Sequence, residues 1–324
     1  MDGIILVQKP ELITSHDVVL KIRSILGIQK VGHFGTLDPM ATGLLIIGVG
    51  KATRLFPFFS KMNKTYEGRI RLGFSTDTYD STGKPTSEIS IDLPSRDDLI
   101  STMSSFTGKI QQIPPPFSAK KIHGRPFYKL ARQKKSFERK PVQVIIHHFK
   151  LKNHEAPNLE FEVSCSSGTY IRSLANDLGN KIGCRAHLTK LVRKCIGEFS
   201  LKDSFDLQEI DKLFRNGLLS SFVIPLENIL TRFPKIILNK KGEKLIRHGN
   251  KITMDLVSNV EDYQENKLLF EQASVSQKDN IIRLFSHEGK LIALARKQAK
   301  QNTLHPFLVI NQKGNNPNKE IKHE

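Results

Sequence analysis

The run Gly-Thr-Leu-Asp-Pro-Met-Ala-Thr-Gly at residues 35–43 constrains this chain more than any other stretch. It places one carboxylate, Asp38, among two glycines, two threonines and a proline. Glycine opens backbone angles closed to other residues, while Pro39 fixes its own φ and pushes Asp38 towards an extended conformation. The apolar stretch Leu44–Val49 that follows reads as a buried strand. Asp38 therefore sits at the mouth of a rigid element, where a catalytic group can be held still. Asp-Pro beside glycine is also ordinary turn chemistry, so this run alone leaves a plain turn open.

The 324 residues suffice for two domains, and an apolar content of 38% suffices for real cores. No apolar run is long enough to span a bilayer, and Met-Asp-Gly-Ile-Ile-Leu-Val at the start lacks the basic region of a secretory signal. The three cysteines form no C-x-x-C pair, which argues against a disulfide framework and against a zinc site. A reduced, cytoplasmic protein is expected. Fifty Lys and Arg against 32 Asp and Glu give a net charge of +18, which calls for a polyanionic partner.

The pattern along the chain predicts a strand over 2–8 and a helix N-capped by Ser15 and closed by Gly27. Residues 65–73 alternate as a half-buried strand, Ser95 caps a helix to about 106, and strands follow at 142–151 and 159–165. Ile171, Leu174, Leu178 and Ile182 form a helix stripe over 169–182, closed by Gly183. Helices interspersed among strands predict an α+β fold with a mixed or antiparallel sheet. A break near Thr231–Pro234 precedes short apolar strands at 251–256, 280–285, 290–295 and 307–310, read as a small β-rich domain. The polar segment 312–324 is expected to be disordered.

Several motifs recur in one order: Lys9-Pro10 with Thr14-Ser15-x-Asp17; Gly32-His33 running into 35–45; Lys64-x-Tyr66; Thr76-Asp77-Thr78-x-Asp80; Gly168-Thr169-Tyr170-Ile171-Arg172; and Leu191-x-Arg193. Together they resemble the TruB family, the bacterial tRNA pseudouridine synthases that act on uridine 55 of the T arm. The resemblance implies a pseudouridine synthase domain over 1–230, with a PUA-like RNA-binding β-barrel over 234–311. It also implies the chemistry: the C1′–N1 bond of a flipped uridine breaks, the base turns, and C5 rejoins the sugar without cofactor or metal.

In that resemblance Asp38 is the catalytic carboxylate, attacking the sugar carbon or removing a sugar proton. Both roles need a firmly held group. Arg172 is its partner through charge-assisted hydrogen bonds. Tyr66 offers the flipped base a flat face and a hydroxyl. Tyr170 and Leu191 wall the pocket, His33 helps displace the base, and Lys9 belongs to the substrate-binding set. The family's usual glycine two residues after Lys9-Pro10 is Leu12 here.

Residues 120–140 hold nine Lys or Arg against Glu138 alone, with Phe127, Tyr128 and Phe137 interleaved. Such a segment suits backbone tracking plus stacking on RNA, so Lys134, Lys135, Arg139 and Lys140 are candidate contacts to a tRNA T arm. A monomer is expected. A nucleotide-binding loop at Gly48–Thr53 fails twice, with Leu45 and Ala52 where a P-loop needs Gly and Ser or Thr. A non-catalytic RNA binder fits the charge as well, but gives no reason to set a carboxylate beside phosphate.

Overall fold

The structure is a computed structural model that describes residues 1–118, 121–122, 125–126, 138–259, 281–298 and 302–310. The chain divides into two compact units, one of residues 5–47 and 55–222, the other of 1–4, 48–54 and 223 onward.

The first unit is built on a mixed sheet. Its strands are β1 (Gly3–Lys9, which begins in the other unit), β2 (Thr42–Val49), β3 (Lys64–Leu72), β4 (Gly108–Gln112), β5 (Val142–Glu155), β6 (Asn158–Cys165) and β7 (Ala186–Ile196). They lie in the order β1-β2-β7-β3-β6-β5-β4. Only the β2–β7 pair among those with a determined register is parallel; β7–β3, β3–β6, β6–β5 and β5–β4 are antiparallel. Alternation decides what faces inward. On β6 Leu159, Phe161, Val163 and Cys165 are buried, and on β3 Lys64, Tyr66, Ile70 and Leu72. Helices α1 (Ser15–Leu26), α2 (Arg96–Ser104) and α3 (Ile171–Ile182) complete the frame. Leu99 and Met103 of α2 and Leu174, Ala175 and Leu178 of α3 join Tyr66, Ile70 and Phe161 in one core.

Two local devices set the site. Gly43 has φ +102°, and a Cβ there would lie 2.4 Å from the Arg193 carbonyl oxygen, so only glycine lets β2 come this close to β7. That approach brings the 35–43 run against Arg193. The start of α3 is held by the fully buried Gln112, whose Oε1 accepts from Tyr170 N at 2.7 Å and whose Nε2 donates to Tyr170 O at 3.0 Å.

The N-cap of α1 is Thr14 rather than the expected Ser15. Thr14 Oγ1 accepts from Asp17 N while the Asp17 carboxylate reaches back to Thr14 N, a capping box. Ser15 Oγ instead bonds Leu37 N at 2.8 Å, one residue before Asp38. The expected strands and the 95 and 171 helices appear within a few residues of their predicted bounds, Gly183 closing α3 in the left-handed conformation.

In the second unit six strands run in the order Ile252–Thr253, Thr303–Val309, Leu291–Gln298, Ile281–Phe285, Lys235–Leu238, Val257–Asn259. The expected strand over 251–256 is broken: a 3-10 turn at Met254–Leu256 separates two short ones. The helix Lys240–Arg247 was not expected, because Lys-Lys-Gly-Glu-Lys-Leu-Ile-Arg offers too few apolar positions for a stripe. Asn239 caps it, and Ile246 packs with Ile236, Leu238, Leu284 and Ala295. The segment 312–324 lies outside the described residues, as do Lys134 and Lys135. Among the described residues no helix is long and apolar enough to cross a membrane.

Candidate active site

Asp38 lies in the loop before β2, and Arg172 is the second residue of α3. The guanidinium grips the carboxylate at both oxygens: Nε donates to Oδ2 at 2.8 Å and Nη2 to Oδ1 at 3.0 Å. Arg172 Nη1 also donates to Thr78 O at 3.0 Å and Nη2 to Phe117 O at 2.8 Å, and Nη1 lies 3.4 Å from Asp80 Oδ2. The guanidinium thus makes four hydrogen bonds and an ion pair to Asp80. The Arg172 side chain is 5% exposed and that of Asp38 36%, so a buried clamp holds a carboxylate that still faces open space.

Asp80 is buried, and its Oδ1 accepts from Thr78 Oγ1 at 2.7 Å, Thr82 N at 3.0 Å and Thr82 Oγ1 at 2.5 Å. The order of support is therefore Thr78 and Thr82 on Asp80, Asp80 on Arg172, Arg172 on Asp38. Lys9 supports the carboxylate loop from below. It is fully buried, its Nζ donates to Pro10 O at 2.8 Å and Pro39 O at 3.2 Å, and burial lowers its pKa to about 8 against the pull of Asp38. It lines neither of the two cavities that meet at Asp38.

One cavity, of ≈260 Å³, is walled by Lys64, Tyr66, Tyr170, Leu191 and Arg193 with Asp38 at its edge. Three of the residues read from the sequence, Tyr66, Tyr170 and Leu191, thus come together on one side of the carboxylate. Tyr66 lies opposite Arg193 in the β3–β7 register. Burial raises the Tyr66 pKa, only partly opposed by Arg193, so the phenol is neutral at ordinary pH. Arg193 is buried and donates to Leu44 O at 2.8 Å, Gly35 O at 3.0 Å and Thr36 O at 3.2 Å, tying β7 to the Asp38 loop.

The other cavity, of ≈660 Å³, also reaches Asp38 and is lined by His16, His33, Thr36, Thr78 and Phe117 among others. His33 is pushed towards the neutral form, first by burial and then by the charges of Arg193 and His16, and its Nδ1 is buried without a hydrogen-bond partner. Arg139 is turned onto the protein: Nη1 donates to Pro114 O at 3.1 Å and to Tyr79 Oη at 3.3 Å. Lys140 is exposed.

Asp80, Lys64 and Arg193 escaped the sequence reading as site residues although each lies inside a motif it quoted. The readable signal was parity. Lys64 is two residues before Tyr66 on a strand, hence on the same inward face, and a lysine there needs a reason.

The family model for the TruB family pseudouridylate synthase N-terminal domain matches residues 23–171, and that for the tRNA pseudouridylate synthase B C-terminal domain matches 172–231. The chain belongs to the TruB family. The tRNA pseudouridine synthase B of Dehalococcoides mccartyi (strain CBDB1) is 42% identical over 261 residues, covering 81% of this chain and 87% of its own. That of Solibacter usitatus (strain Ellin6076) is 36% identical over 311 residues, covering 96% and 100%. Among solved structures, an H/ACA RNP bound to a substrate RNA containing 2′-deoxyuridine superposes with a TM-score of 0.69 at 20% identity, covering 96% of this chain and 86% of that one. At that identity the likeness speaks for the fold alone.

Proposed function

We propose that this TruB family chain isomerises uridine 55 in the T loop of tRNA to pseudouridine, acting as a cytoplasmic monomer without cofactor. The observation that carries the reading is the carboxylate of Asp38, clamped by a buried arginine at the meeting of two cavities. A uridine in the folded T loop must leave its stack first, at a cost of a few kcal/mol. The neutral ring of His33, with a free Nδ1, suits a group that takes the base's place. The flipped uracil then occupies the smaller cavity against Tyr66, Tyr170 and Leu191, and Asp38 acts at the sugar. Clamping at both oxygens removes the rotation that would otherwise dilute near-attack geometry.

The rest of the chain supplies grip. The cluster at 120–140 contacts the T arm, and the six-stranded second unit serves as a PUA-like RNA-binding domain. The test is direct: incubate the protein with unmodified tRNA transcript and map pseudouridine. Conversion confined to position 55 supports the reading. Tight tRNA binding with no conversion would favour an RNA chaperone.

A further inference from the structure

Lys64 is a buried cation that the reaction as described leaves without a task. It lines the smaller cavity on β3, two residues from Tyr66. Its Nζ donates to Ser60 O at 2.7 Å and to Met62 O at 2.5 Å, two of its three hydrogens. Among the described residues no carboxylate lies within ion-pair distance of it. Arg193, whose charge reaches Lys64, likewise bonds carbonyls rather than a carboxylate. The one carboxylate in this cavity, Asp38, is matched by Arg172. The cavity therefore carries two buried positive charges without a counter-charge, a costly arrangement unless the occupant becomes negative.

It does become negative. When C1′–N1 breaks, both electrons leave with N1 and delocalise onto the two uracil carbonyl oxygens, giving a uracil anion. The sugar is satisfied either by a new bond from C1′ to an Asp38 oxygen or by loss of its C2′ proton to Asp38 with formation of C1′=C2′. The base charge is the same in both. It disappears when C5 bonds C1′, after which the C5 proton is lost, N1 gains one, and any C2′ proton is returned. We propose that the Lys64 ammonium is a further catalytic group, stabilising the uracil anion while it is detached from the sugar. This inference rests on the function proposed above. Fixed charges in a water-poor cavity, aimed where charge develops, are among the most effective catalytic devices.

Burial lowers the Lys64 pKa to about 8, aided by Arg193, so the charge is present at neutral pH and lost just above it. The other groups facing it do not titrate there: burial lifts Cys165 on β6 to about 11, and it raises the Tyr66 pKa as well. Lys9, at about 8, is the one competitor among the shifted groups.

The experiment compares single-turnover rates of C1′–N1 cleavage, read as loss of the starting nucleoside after digestion, for wild type, K64Q and K64R. The substrates are a tRNA transcript and the same transcript made with 5-fluorouridine, whose fluorine at C5 leaves no proton to lose once C5 has joined C1′. Gln keeps donors for the Ser60 and Met62 carbonyls and removes the charge; Arg keeps the charge. Fluorine withdraws electrons and makes the base a better leaving group. We expect K64Q to bind tRNA as wild type does but to convert uridine about 10²-fold more slowly, with a loss on 5-fluorouridine about tenfold smaller. K64R should keep the rate within about tenfold, and should abolish the fall in wild-type rate above pH ~8. Equal losses on the two bases, or a K64Q rate within about threefold of wild type, would overturn the proposal. So would a wild-type rate flat to pH ~10, an outcome that needs no variant to fold. A fall surviving in K64R would hand the proton to Lys9 and likewise overturn it. Failure of wild type to convert either transcript would remove the function reading itself, and this inference with it.

Discussion

The Asp38 carboxylate and the Arg172 guanidinium meet through two N–H···O bonds of 2.8 and 3.0 Å although 134 residues separate them in the chain. The loop before β2 brings one and the first turn of α3 the other, each braced from behind. A pair so held has one orientation. Asp38→Asn keeps the shape and removes the charge, so it should abolish pseudouridine formation while leaving tRNA affinity within about tenfold. Arg172→Lys should also fail, because an ammonium cannot hold both carboxylate oxygens and three further acceptors. Near-normal single-turnover rates from Asp38→Asn would remove Asp38 from the chemistry.

Asp80 touches the carboxylate only through Arg172. Asp80→Asn retains an oxygen for Thr78 and Thr82 but loses the ion pair at 3.4 Å. We expect an Arg172 freed to drift and a fall of about 10–10²-fold in the chemical step, since misplacement by about 1 Å can cost 10²-fold. Affinity for tRNA should hold. Restored rates in an Asp80→Glu variant would support positioning; a loss confined to tRNA affinity would contradict it.

The rigid setting of Asp38 was legible in Gly-Thr-Leu-Asp-Pro. Its pairing with Arg172 and the wall of Tyr66, Tyr170 and Leu191 were implied by the resemblance of the motifs, since periodicity alone reads such strand and helix residues as core. Asp80 was not legible, since its role depends on a turn, Thr78 to Thr82, that folds three donors onto one oxygen and leaves no periodic trace. Nor was the helix Lys240–Arg247, whose apolar face is two residues wide and makes sense only once Ile236 and Leu284 are beneath it. Lys9 is included with the substrate-binding residues because it stands in a quoted motif; the structure adds that it is buried and bonds the carbonyls of Pro10 and Pro39, a position at the end of β1 that its motif does not report.

Leu12 stands where the family's usual residue is glycine. The structure gives it φ +68° and leaves it 81% exposed, with its N–H on Pro39 O at 2.9 Å. The turn is thus kept at the cost of left-handed strain of roughly 1–2 kcal/mol. Leu12→Gly relieves that strain but adds freedom to the unfolded chain, about 0.4–1 kcal/mol, so a net gain of roughly 0.5–1 kcal/mol is expected. Chemical denaturation would read it directly. A loss of stability would mean that the leucine side chain contributes packing not evident from its exposure.

Binding should weaken steeply with salt, by about 0.7–0.9 units of log-log slope per phosphate contact. Lys134→Gln, Lys135→Gln and Lys140→Gln together should flatten that slope. Arg139 is left out of the set because it is bonded to Pro114 and Tyr79, so its loss would disturb the protein as well as the RNA contact. A slope unchanged by the triple substitution would place the docking surface elsewhere.

Tyr66 combines a flat face with a hydroxyl, and one substitution separates them. Tyr66→Phe keeps the face. If stacking on uracil were the whole role, the variant would turn over within a few-fold of wild type. The hydroxyl stands in a charged setting that stacking does not require: Arg193 lies opposite Tyr66 across the β3–β7 register. A guanidinium only donates, so it cannot take up the phenolic hydrogen, which is left for the occupant of the cavity. Burial keeps the phenol neutral, which makes it a donor first; it can accept the C5 proton only while giving up its own. Either use is general acid–base work, for which about 10²–10⁴-fold is typical. We therefore expect Tyr66→Phe to bind tRNA normally and to be slowed at least about a hundredfold in single turnover. Because the Tyr66 pKa is raised above its ordinary value near 10, the wild-type rate should show no break from this group below about pH 10. Substrate deuterated at C5 sharpens the test. A larger isotope effect in Tyr66→Phe than in wild type ties the hydroxyl to the step in which C5 loses its proton, whereas equal effects with normal rates would leave only the ring.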